Sequence, residues 1–301
     1  MKKLIIAAGT GFLGNALINH FKDSVTDIVV LTRGKAATKN NVRYVNWDAK
    51  TMTGWERELE GADVLINLAG KSVDCRYTEA NKNEIMASRV DSTVILGKAI
   101  QQCTNPPKQW INSSTATIYR HSTDKQMDET VGEIGHDFSM NVAKMWERVF
   151  FEADTPQTVK TAMRTSIVLG KSGGAFVPLK KLAQFGLGGT QGSGNQFISW
   201  IHEADFARAV AHIISNEVEG VINVVSPQPS RNADFMKALR HAIRIPFGLN
   251  ITTNMLKLGA KIIGTETELV LKSRNVIPKR LTDTGFTFKY GNLAQALENL
   301  V

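Results

Sequence analysis

The run Ala8-Gly9-Thr10-Gly11-Phe12-Leu13-Gly14 sets small residues three apart, with Ala8, Gly11 and Gly14 in G-x-x-G-x-x-G register, between an apolar run and an amphipathic one. A pyrophosphate needs that context. Glycines permit a tight turn and close backbone approach, and the N-terminus of a following helix offers unpaired N–H groups and a positive dipole end. Gly9, beside Ala8, lends the turn its conformational freedom. Gly9, Thr10, Gly11, Phe12, Leu13 and Gly14 are therefore candidate dinucleotide contacts. At the end of the second apolar run the chain reads Val29-Val30-Leu31-Thr32-Arg33-Gly34-Lys35. No carboxylate stands there to accept from a ribose 2′-OH, whereas Arg33, with Lys35 in support, can pair with a 2′-phosphate. NADP(H) is thus expected in preference to NAD(H), against the alternative of a solvated arginine at a strand end. Asp48 either meets the adenine amino group or holds a surface turn.

These residues need a parallel sheet to position them. Short β-branched runs at Lys3–Ala7, Ile28–Thr32, Val42–Asn46, Val64–Asn67, Gln109–Ser113 and Thr161–Leu169 alternate with helix-period stretches. The helices are expected just after Gly11, near Gly54–Leu59, over Glu79–Cys103 and over Phe138–Glu152. Beyond the glycine-rich loop Gly186–Gly194 come a strand at Phe197–Ile201, a helix near Ala204–Ser215 and a strand near Val221–Val225. The fold class is α/β, a Rossmann-type doubly wound parallel sheet of about seven strands. Residues 1–169 and 197–226 would form it. Residues 170–196 and 227–301, with helices near Asn232–Ile243 and Asn292–Leu300, would form a smaller α-rich substrate domain.

The bulk numbers narrow the rest. The chain has 301 residues, 43% hydrophobic and 21% charged, with no apolar run near the roughly 18 residues that span a bilayer. Two cysteines, Cys75 and Cys103, give neither metal spacing nor a disulfide framework, which fits a reducing cytoplasm. The net charge of +8 lies largely in the C-terminal part, where ten basic residues follow from Lys237 against four acidic ones. They are dispersed among apolar residues without interleaved aromatics, so the reading is a solvated basic face, with no nucleic-acid and no membrane partner. Other motifs fail. Gly170-Lys171-Ser172 ends like a P-loop but Thr165 stands where its first glycine belongs, and His202-Glu203 is followed by Phe206 where a zinc-binding helix needs its second histidine, so no metal is expected.

The glycine loop, Asn67-Leu68-Ala69-Gly70, and Ser113-Ser114-Thr115-Ala116-Thr117-Ile118-Tyr119 together resemble the extended short-chain dehydrogenase/reductase superfamily. Ser88-Arg89-Val90, Gly173-Gly174-Ala175, Gly188–Gln196, Ser199-Trp200-Ile201-His202 and Pro278-Lys279-Arg280-Leu281 leading to Gly285-Phe286 narrow the likeness. The chain resembles, over nearly its whole length, the atypical nucleoside-diphosphate-sugar epimerase-like branch that ends in a domain of unknown function. The resemblance implies that Thr115 donates a hydrogen bond to a substrate carbonyl or hydroxyl. It implies that Leu68, Ala69, Gly70, Lys71, Ser113 and Ser114 border the cofactor, and that Thr165 and Ser166 face the nicotinamide. A homodimer through long sheet-flanking helices is also a common arrangement in that superfamily.

The superfamily's chemistry uses a tyrosine phenol and a lysine four residues on that lowers its pKa. Four residues beyond Tyr44, Tyr77, Tyr119 and Tyr290 lie Asp48, Asn81, Thr123 and Ala294, so the pair is absent. Aligning the helix through Trp146-Glu147 puts Ser139 and Ala143 in the two positions. Tyr119 is then a candidate acid, His121 sits in a polar surface stretch, and Lys71, Arg76 and Arg89 could stabilise a developing oxyanion. In the layout the resemblance implies, Phe176, Gln196 and Trp200 line the substrate pocket, although Trp200 equally suits a domain seam. The expected function is an NADP(H)-binding epimerase-like or oxidoreductase-like protein acting on a small molecule. The alternative is a non-catalytic NADPH-binding sensor.

Overall fold

Leu4 and Ile6 turn to one side of the first strand and Ile5 and Ala7 to the other, and all four are fully buried, so the strand lies between two cores. The computed structural model describes residues 1–264 and 266–301. The first half runs β1 (Lys3–Ala7), α1 (Phe12–Phe21), β2 (Asp27–Thr32), β3 (Ala37–Lys39), β4 (Val42–Asn46), a 3-10 turn at Trp55–Leu59, β5 (Val64–Asn67), α2 (Glu79–Gln101), β6 (Gln109–Thr115), a 3-10 turn at Ala116–Ile118 and α3 (Phe138–Glu152). Then come β7 (Val159–Thr165), β8 (Ile167–Gly170), β9 (Gly173–Gly174), α4 (Phe176–Leu182), β10 (Phe197–Ile198), β11 (Trp200–His202), α5 (Glu203–Ser215), β12 (Gly220–Val224) and β13 (Ser230–Arg231). The helices α6 (Asn232–Ala242), α7 (Thr253–Ile263), α8 (Glu268–Leu271), α9 (Lys279–Asp283) and α10 (Leu293–Leu300) complete the chain.

The main sheet has the order β12-β7-β6-β5-β1-β2-β4-β3. Its seven expected strands are parallel, and β3, which the exposed Ala37-Thr38-Lys39 did not signal, adds an antiparallel edge. On one face α1 and α5 bury Leu17, Ile18, Phe21, Phe206, Val210 and Ile213; on the other α2 and α3 bury Ile95, Leu96, Ile100 and Phe150. This is a doubly wound Rossmann-type fold with a helical C-terminal region. Its strand order reverses between β1 and β5, which opens a crevice at the carboxyl ends of those strands.

Two expected strands are each broken in two. Thr165 pairs with Thr115, the last residue of β6, so β7 has no further edge to follow, and β8 leaves to join β9 and β11 in a separate small sheet. The break at Ser199 follows from its hydroxyl, which donates to Arg274 O (2.7 Å) and accepts from Val276 N (2.9 Å), pinning the chain between β10 and β11. A third core gathers Phe176, Trp200, Phe235, Met236, Leu239, Leu297 and Leu300 from α4, β11, α6 and α10. Leu281 and Phe286, around α9, pack instead into the first core. Among the described residues no helix is long and apolar enough to cross a membrane.

Candidate functional site

The loop between β1 and α1 is held by backbone packing. A methyl group built on Gly14 would lie 2.0 Å from the carbonyl oxygen of Gly9, so only glycine lets α1 close onto the loop. On Gly9 it would lie 2.7 Å from Ile6 Cγ2. The turn's unusual conformation falls on Ala8, at φ +57°, rather than on Gly9, and it lets the Ala8 amide donate to Leu31 O of β2 (2.8 Å). Gly11 has no protein atom within 4 Å of such a methyl, and its extended backbone needs no glycine. What it offers is open approach to the start of α1. That helix has no side-chain cap and no acidic residue in its first turn, so its amide donors and dipole are not neutralised. The side chain of Phe12 points away and is enclosed by the β8–β9 hairpin: methyl groups on Gly170, Gly173 or Gly174 would strike its ring at 2.2, 2.5 and 2.9 Å. The Gly-Gly of that hairpin thus secures the loop's first helical residue.

Along the crevice, Arg33 is exposed at the end of β2 and has no hydrogen bond or ion pair among the described residues. Asp48 is committed to a surface turn, accepting from Lys50 N (2.8 Å), Thr51 N (2.8 Å) and Thr51 Oγ1 (2.6 Å), bonds that lower its pKa. After β5, buried Asn67 fixes the chain by accepting from Ala69 N (3.0 Å) and donating to Asn112 Oδ1 (2.8 Å). Leu68 N donates to Ala7 O (3.0 Å) and Lys71 N to Ser88 Oγ (2.9 Å), so residues 68–71 lie across the end of β1. Lys71 Nζ is paired with Glu84 and Asn81, and exposed Arg76 with Glu266 (3.5 Å). Gly70 leaves room for Arg89, whose guanidinium would approach a methyl there to 3.1 Å.

The ends of β6 and β7 carry both structural and open polar groups. Ser114 donates to Glu147 (2.6 Å), and Arg164 grips both oxygens of that carboxylate (2.8 and 2.7 Å). Arg164 also donates to the Tyr119 hydroxyl (2.8 Å), which donates to Asn223 Oδ1 (3.0 Å). Tyr119 is 1% exposed, so the expectation that it acts as an acid is corrected: its phenol completes a buried network, and burial raises its pKa. The Ser114 hydroxyl is likewise committed to this network. Thr115 caps the following turn by accepting from Thr117 N (3.1 Å), which leaves its hydroxyl proton free to donate, and Ser113 beside it is half-buried. Among the described residues Thr165 Oγ1 and Ser166 Oγ are buried without a hydrogen-bond partner. Such orphans are costly unless something outside the chain satisfies them. They fit the carboxamide end of a nicotinamide dinucleotide whose phosphates lie at α1.

The three expected substrate contacts are corrected. Phe176 and Trp200 are core side chains, 1% and 0% exposed, and the Trp200 indole donates to Gln228 O (3.1 Å). Gln196, 3% exposed, donates to Gln191 O (2.8 Å) and Val270 O (3.3 Å) and accepts from Ser193 Oγ (3.2 Å), so it ties the glycine-rich loop together. His202 and Asp205 anchor α5: His202 accepts from Ala204 N (3.0 Å), and Asp205 accepts from Lys289 N and Tyr290 N and pairs with Arg208.

A cluster that the sequence did not single out lies at the start of α3. The Tyr77 hydroxyl is 3.4 Å from Ser139 Oγ, its amide donates to Glu266 (2.9 Å), and its ring meets Phe138 edge-on at 5.0 Å. Ser139 donates to Glu268, and Lys272 donates to Glu268 (2.7 Å) and to Asp137, the N-cap of α3. Two largely enclosed guanidiniums couple electrostatically to the same phenol. Among the described residues Arg89 donates only to Lys71 O (3.1 Å) and Ile85 O (2.9 Å); it rests over Trp146, and burial lowers its pKa to about 10. Arg274 donates weakly to Ser273 O (3.4 Å), and burial lowers its pKa too. Neither has a carboxylate partner in an ion pair among the described residues. Four acidic or basic side chains here come from residues 266–274. Among the described residues, no cluster of three metal-ligating side chains occurs.

Comparison with known proteins agrees with this geometry. Residues 4–225 match the NAD dependent epimerase/dehydratase family, and residues 254–300 match a domain of unknown function, DUF1731. The epimerase family protein SAR0825 of Staphylococcus aureus strain MRSA252 is 33% identical over 304 residues, covering 100% of this chain and 99% of that protein. The crystal structure of the human epimerase family protein SDR39U1 with NADPH superposes with a TM-score of 0.87 at 27% identity, over 99% of this chain and 98% of that one. UDP-N-acetylglucosamine 4-epimerase from Bacillus cereus shares the fold at 18% identity, with a TM-score of 0.75 over 100% of this chain and 98% of that one. The loop, the strand order and the matched length together make the chain a member of the NAD dependent epimerase/dehydratase family.

Proposed function

We propose that the protein binds NADP(H) along the carboxyl edge of the sheet and uses it on a small carbonyl- or hydroxyl-bearing molecule. The substrate would sit between that edge and residues 170–196 and 227–301. The observation that carries this reading is the pair of buried hydroxyls on Thr165 and Ser166, unpartnered among the described residues, together with an uncapped α1. The unpaired Arg33 favours the 2′-phosphate form, and the NADPH in the human relative's structure supports the same choice. In the proposed complex, Gly9–Gly14 hold the pyrophosphate on backbone amides, Arg33 pairs with the 2′-phosphate, and residues 68–71 border the adjoining ribose. When bound, the cofactor supplies or takes up a hydride. Thr115 has its hydroxyl proton available to orient a substrate oxygen. The two free thiols, Cys75 and Cys103, suit a reducing cytoplasm.

Titration with NADPH and NADH tests the cofactor. NADPH binds more tightly, and equal affinities would sink the assignment. A second reading, a sensor whose conformation follows NADPH occupancy, is favoured by Ser139 and Ala143 at the positions of the superfamily's proton-transfer pair. A panel of carbonyl compounds and nucleotide sugars, followed by NADPH absorbance and by product analysis, separates the two. Absence of any conversion by protein that binds NADPH favours the sensor.

A further inference from the structure

We infer that Tyr77 is the proton donor of this site, standing in space where Ser139 has vacated the superfamily's tyrosine position in sequence. The inference rests on the cofactor reading above and adds a catalytic residue that reading lacks. Three placements carry it. Tyr77 lies on the segment between β5 and α2, which leaves the sheet at the same carboxyl edge as the cofactor loop. Its hydroxyl is 3.4 Å from Ser139 Oγ, so a phenol from one loop reaches the side chain of the helical residue that would otherwise have carried it. Its ring is fixed edge-on against Phe138, with Lys82 over the far ring, and its amide is bonded to Glu266, so its direction is set by packing.

The charges around the phenol fit a group that donates a proton and recovers it. Arg89 of α2 and Arg274, just beyond α8, both couple to it electrostatically; Arg89 has no carboxylate partner in an ion pair among the described residues, whereas Arg274 couples to Asp137 and Glu268 more strongly than to the phenol. They would stabilise the phenolate left after transfer, the task that a lysine four residues on performs elsewhere in the superfamily. Glu268 of α8, reached directly and through Ser139, and Cys75 on the same loop oppose ionisation. Burial is the largest influence, and with these groups it holds the phenol up at about 12, protonated throughout the working range. Such a group is an acid rather than a base near neutral pH, which favours carbonyl reduction over alcohol oxidation.

As a substrate C=O double bond opens and its carbon takes the hydride, its oxygen takes the phenolic proton. The O–H bond of Tyr77 breaks and its electron pair stays on the phenolate. Ser139 then passes its own proton to that phenolate and regains one through Glu268 from the Lys272 ammonium, which solvent recharges. Atoms and charge balance, with one hydride and one proton consumed per carbonyl reduced.

Proton donor and hydride donor would serve adjacent atoms of one bond, so the phenol would feel the charge of the nicotinamide ring. A positively charged nicotinamide ring therefore favours the phenolate, and this is measurable without any substrate. The protein is labelled with 3-fluorotyrosine at its four tyrosines, and each fluorine resonance is titrated with pH, with NADPH or with NADP⁺ at saturation. The resonance of Tyr77 is the one lost in Tyr77→Phe or, should that variant not fold, the one left unassigned by Tyr44→Phe, Tyr119→Phe and Tyr290→Phe. The expected result is an ionisation midpoint lower by about one pH unit or more with NADP⁺ than with NADPH, and lower again in Glu268→Gln. A Tyr77 midpoint that is the same with both cofactor forms overturns the inference. Failure of either nucleotide to bind, read by calorimetry on the same samples, instead overturns the cofactor reading.

Discussion

Gly11 and Gly14 sit three residues apart in one motif, yet the structure assigns them opposite duties, and alanine at each separates folding from binding. At Gly14 the added methyl would meet Gly9 O at 2.0 Å, Gly9 C at 2.4 Å and Gly9 Cα at 2.5 Å. Ordinary contact is about 3.5 Å, so the loop or α1 must retreat by about 1.5 Å. Because the obstructing atoms are backbone, no rotamer relieves the clash. The cost belongs at the upper end of the overpacking range, about 3 kcal/mol. For a chain of this size that lowers Tm by about 5 °C. At Gly11 the methyl meets no protein atom within 4 Å, and alanine tolerates the extended backbone there. Alanine is a poorer N-cap than glycine by several tenths of a kcal/mol but loses less chain entropy on folding, so the net change stays within about 1 kcal/mol. The methyl does, however, occupy the approach to the α1 amides. NADPH affinity should fall by tenfold or more, about 1.4 kcal/mol. Thermal denaturation without ligand and calorimetric titration with NADPH read the two effects. A Gly14→Ala protein as stable as the parent refutes the packing argument, and a Gly11→Ala protein with undiminished affinity refutes the placement of the pyrophosphate.

Arg33→Ala should remove about 1–2 kcal/mol from NADPH binding and leave NADH unchanged, because an exposed pair to a 2′-phosphate is charge-assisted but screened by water; preserved discrimination would place the 2′-phosphate elsewhere. Tyr119→Phe strips a donor from Asn223 and an acceptor from Arg164 inside the core, a loss of about 1–3 kcal/mol in urea denaturation, while NADPH affinity holds; a lost nucleotide affinity at intact stability would contradict its structural role. Glu147→Gln leaves the Arg164 guanidinium without its anion in a buried site, costing about 3–5 kcal/mol, and an unchanged denaturation midpoint would show the pair to be dispensable. Asp63 resists the upward push of its partial burial through bonds from Lys108 and from the Lys3 and Lys2 amides, which hold its carboxyl at about 2 against 3.8 unfolded. A depressed folded pKa stabilises above the unfolded value and loses that contribution as pH falls from 3.8 toward 2. Asp63→Asn should therefore flatten the stability curve in that window, and an identical slope in parent and variant argues against it.

What could be read from the sequence was local. The loop, the seven parallel strands and the flanking helices each announce themselves within a few residues, through glycine spacing, β-branched runs and helical periodicity. The missing carboxylate after β2 is likewise a matter of one position. The expected site residues failed where their fate depended on distant packing. Trp200 and Phe176 look like ligand-facing aromatics until α6 and α10 close over them, and Gln196 looks like a ligand-facing amide until Gln191 and Val270 supply its partners. Tyr119 lies near Thr115 in sequence, yet Arg164 on β7 and Asn223 on β12 draw its hydroxyl into the core. Tyr77 escaped notice for a related reason. A lysine four residues beyond a tyrosine is a relation confined to one helix, whereas the cations that couple to Tyr77 are Arg89 and Arg274, 12 and 197 residues away along the chain. A weaker signal was present: Tyr77 follows β5 at the carboxyl edge, where such sheets place their functional side chains.

The segment that completes the Tyr77 cluster lies in the region matched to a domain of unknown function, and its contacts suggest why that region and the nucleotide-binding part share a chain. Lys272 bonds the N-cap of α3, Glu268 accepts a hydrogen bond from Ser139, Glu266 holds the amide of Tyr77, and Arg274 couples electrostatically to the same phenol. Each interaction joins residues 266–274 to the edge of the sheet, at the position where Ser139 and Ala143 replace the superfamily's pair. In the superfamily, a tyrosine and lysine on one helix come ready placed. Here the phenol, its relay and its cations are drawn from the β5–α2 segment, α2, α3 and the C-terminal region, so the arrangement exists only when that region is docked. Loosening the dock should then disturb Tyr77 before it disturbs nucleotide binding. In Lys272→Ala, the fluorine resonance of Tyr77 is expected to shift and broaden while NADPH affinity stays within about twofold, a change of roughly 0.4 kcal/mol. Equal loss of both would mean that the C-terminal segment supports the whole crevice, and an unmoved Tyr77 resonance would mean that it does not support the phenol at all.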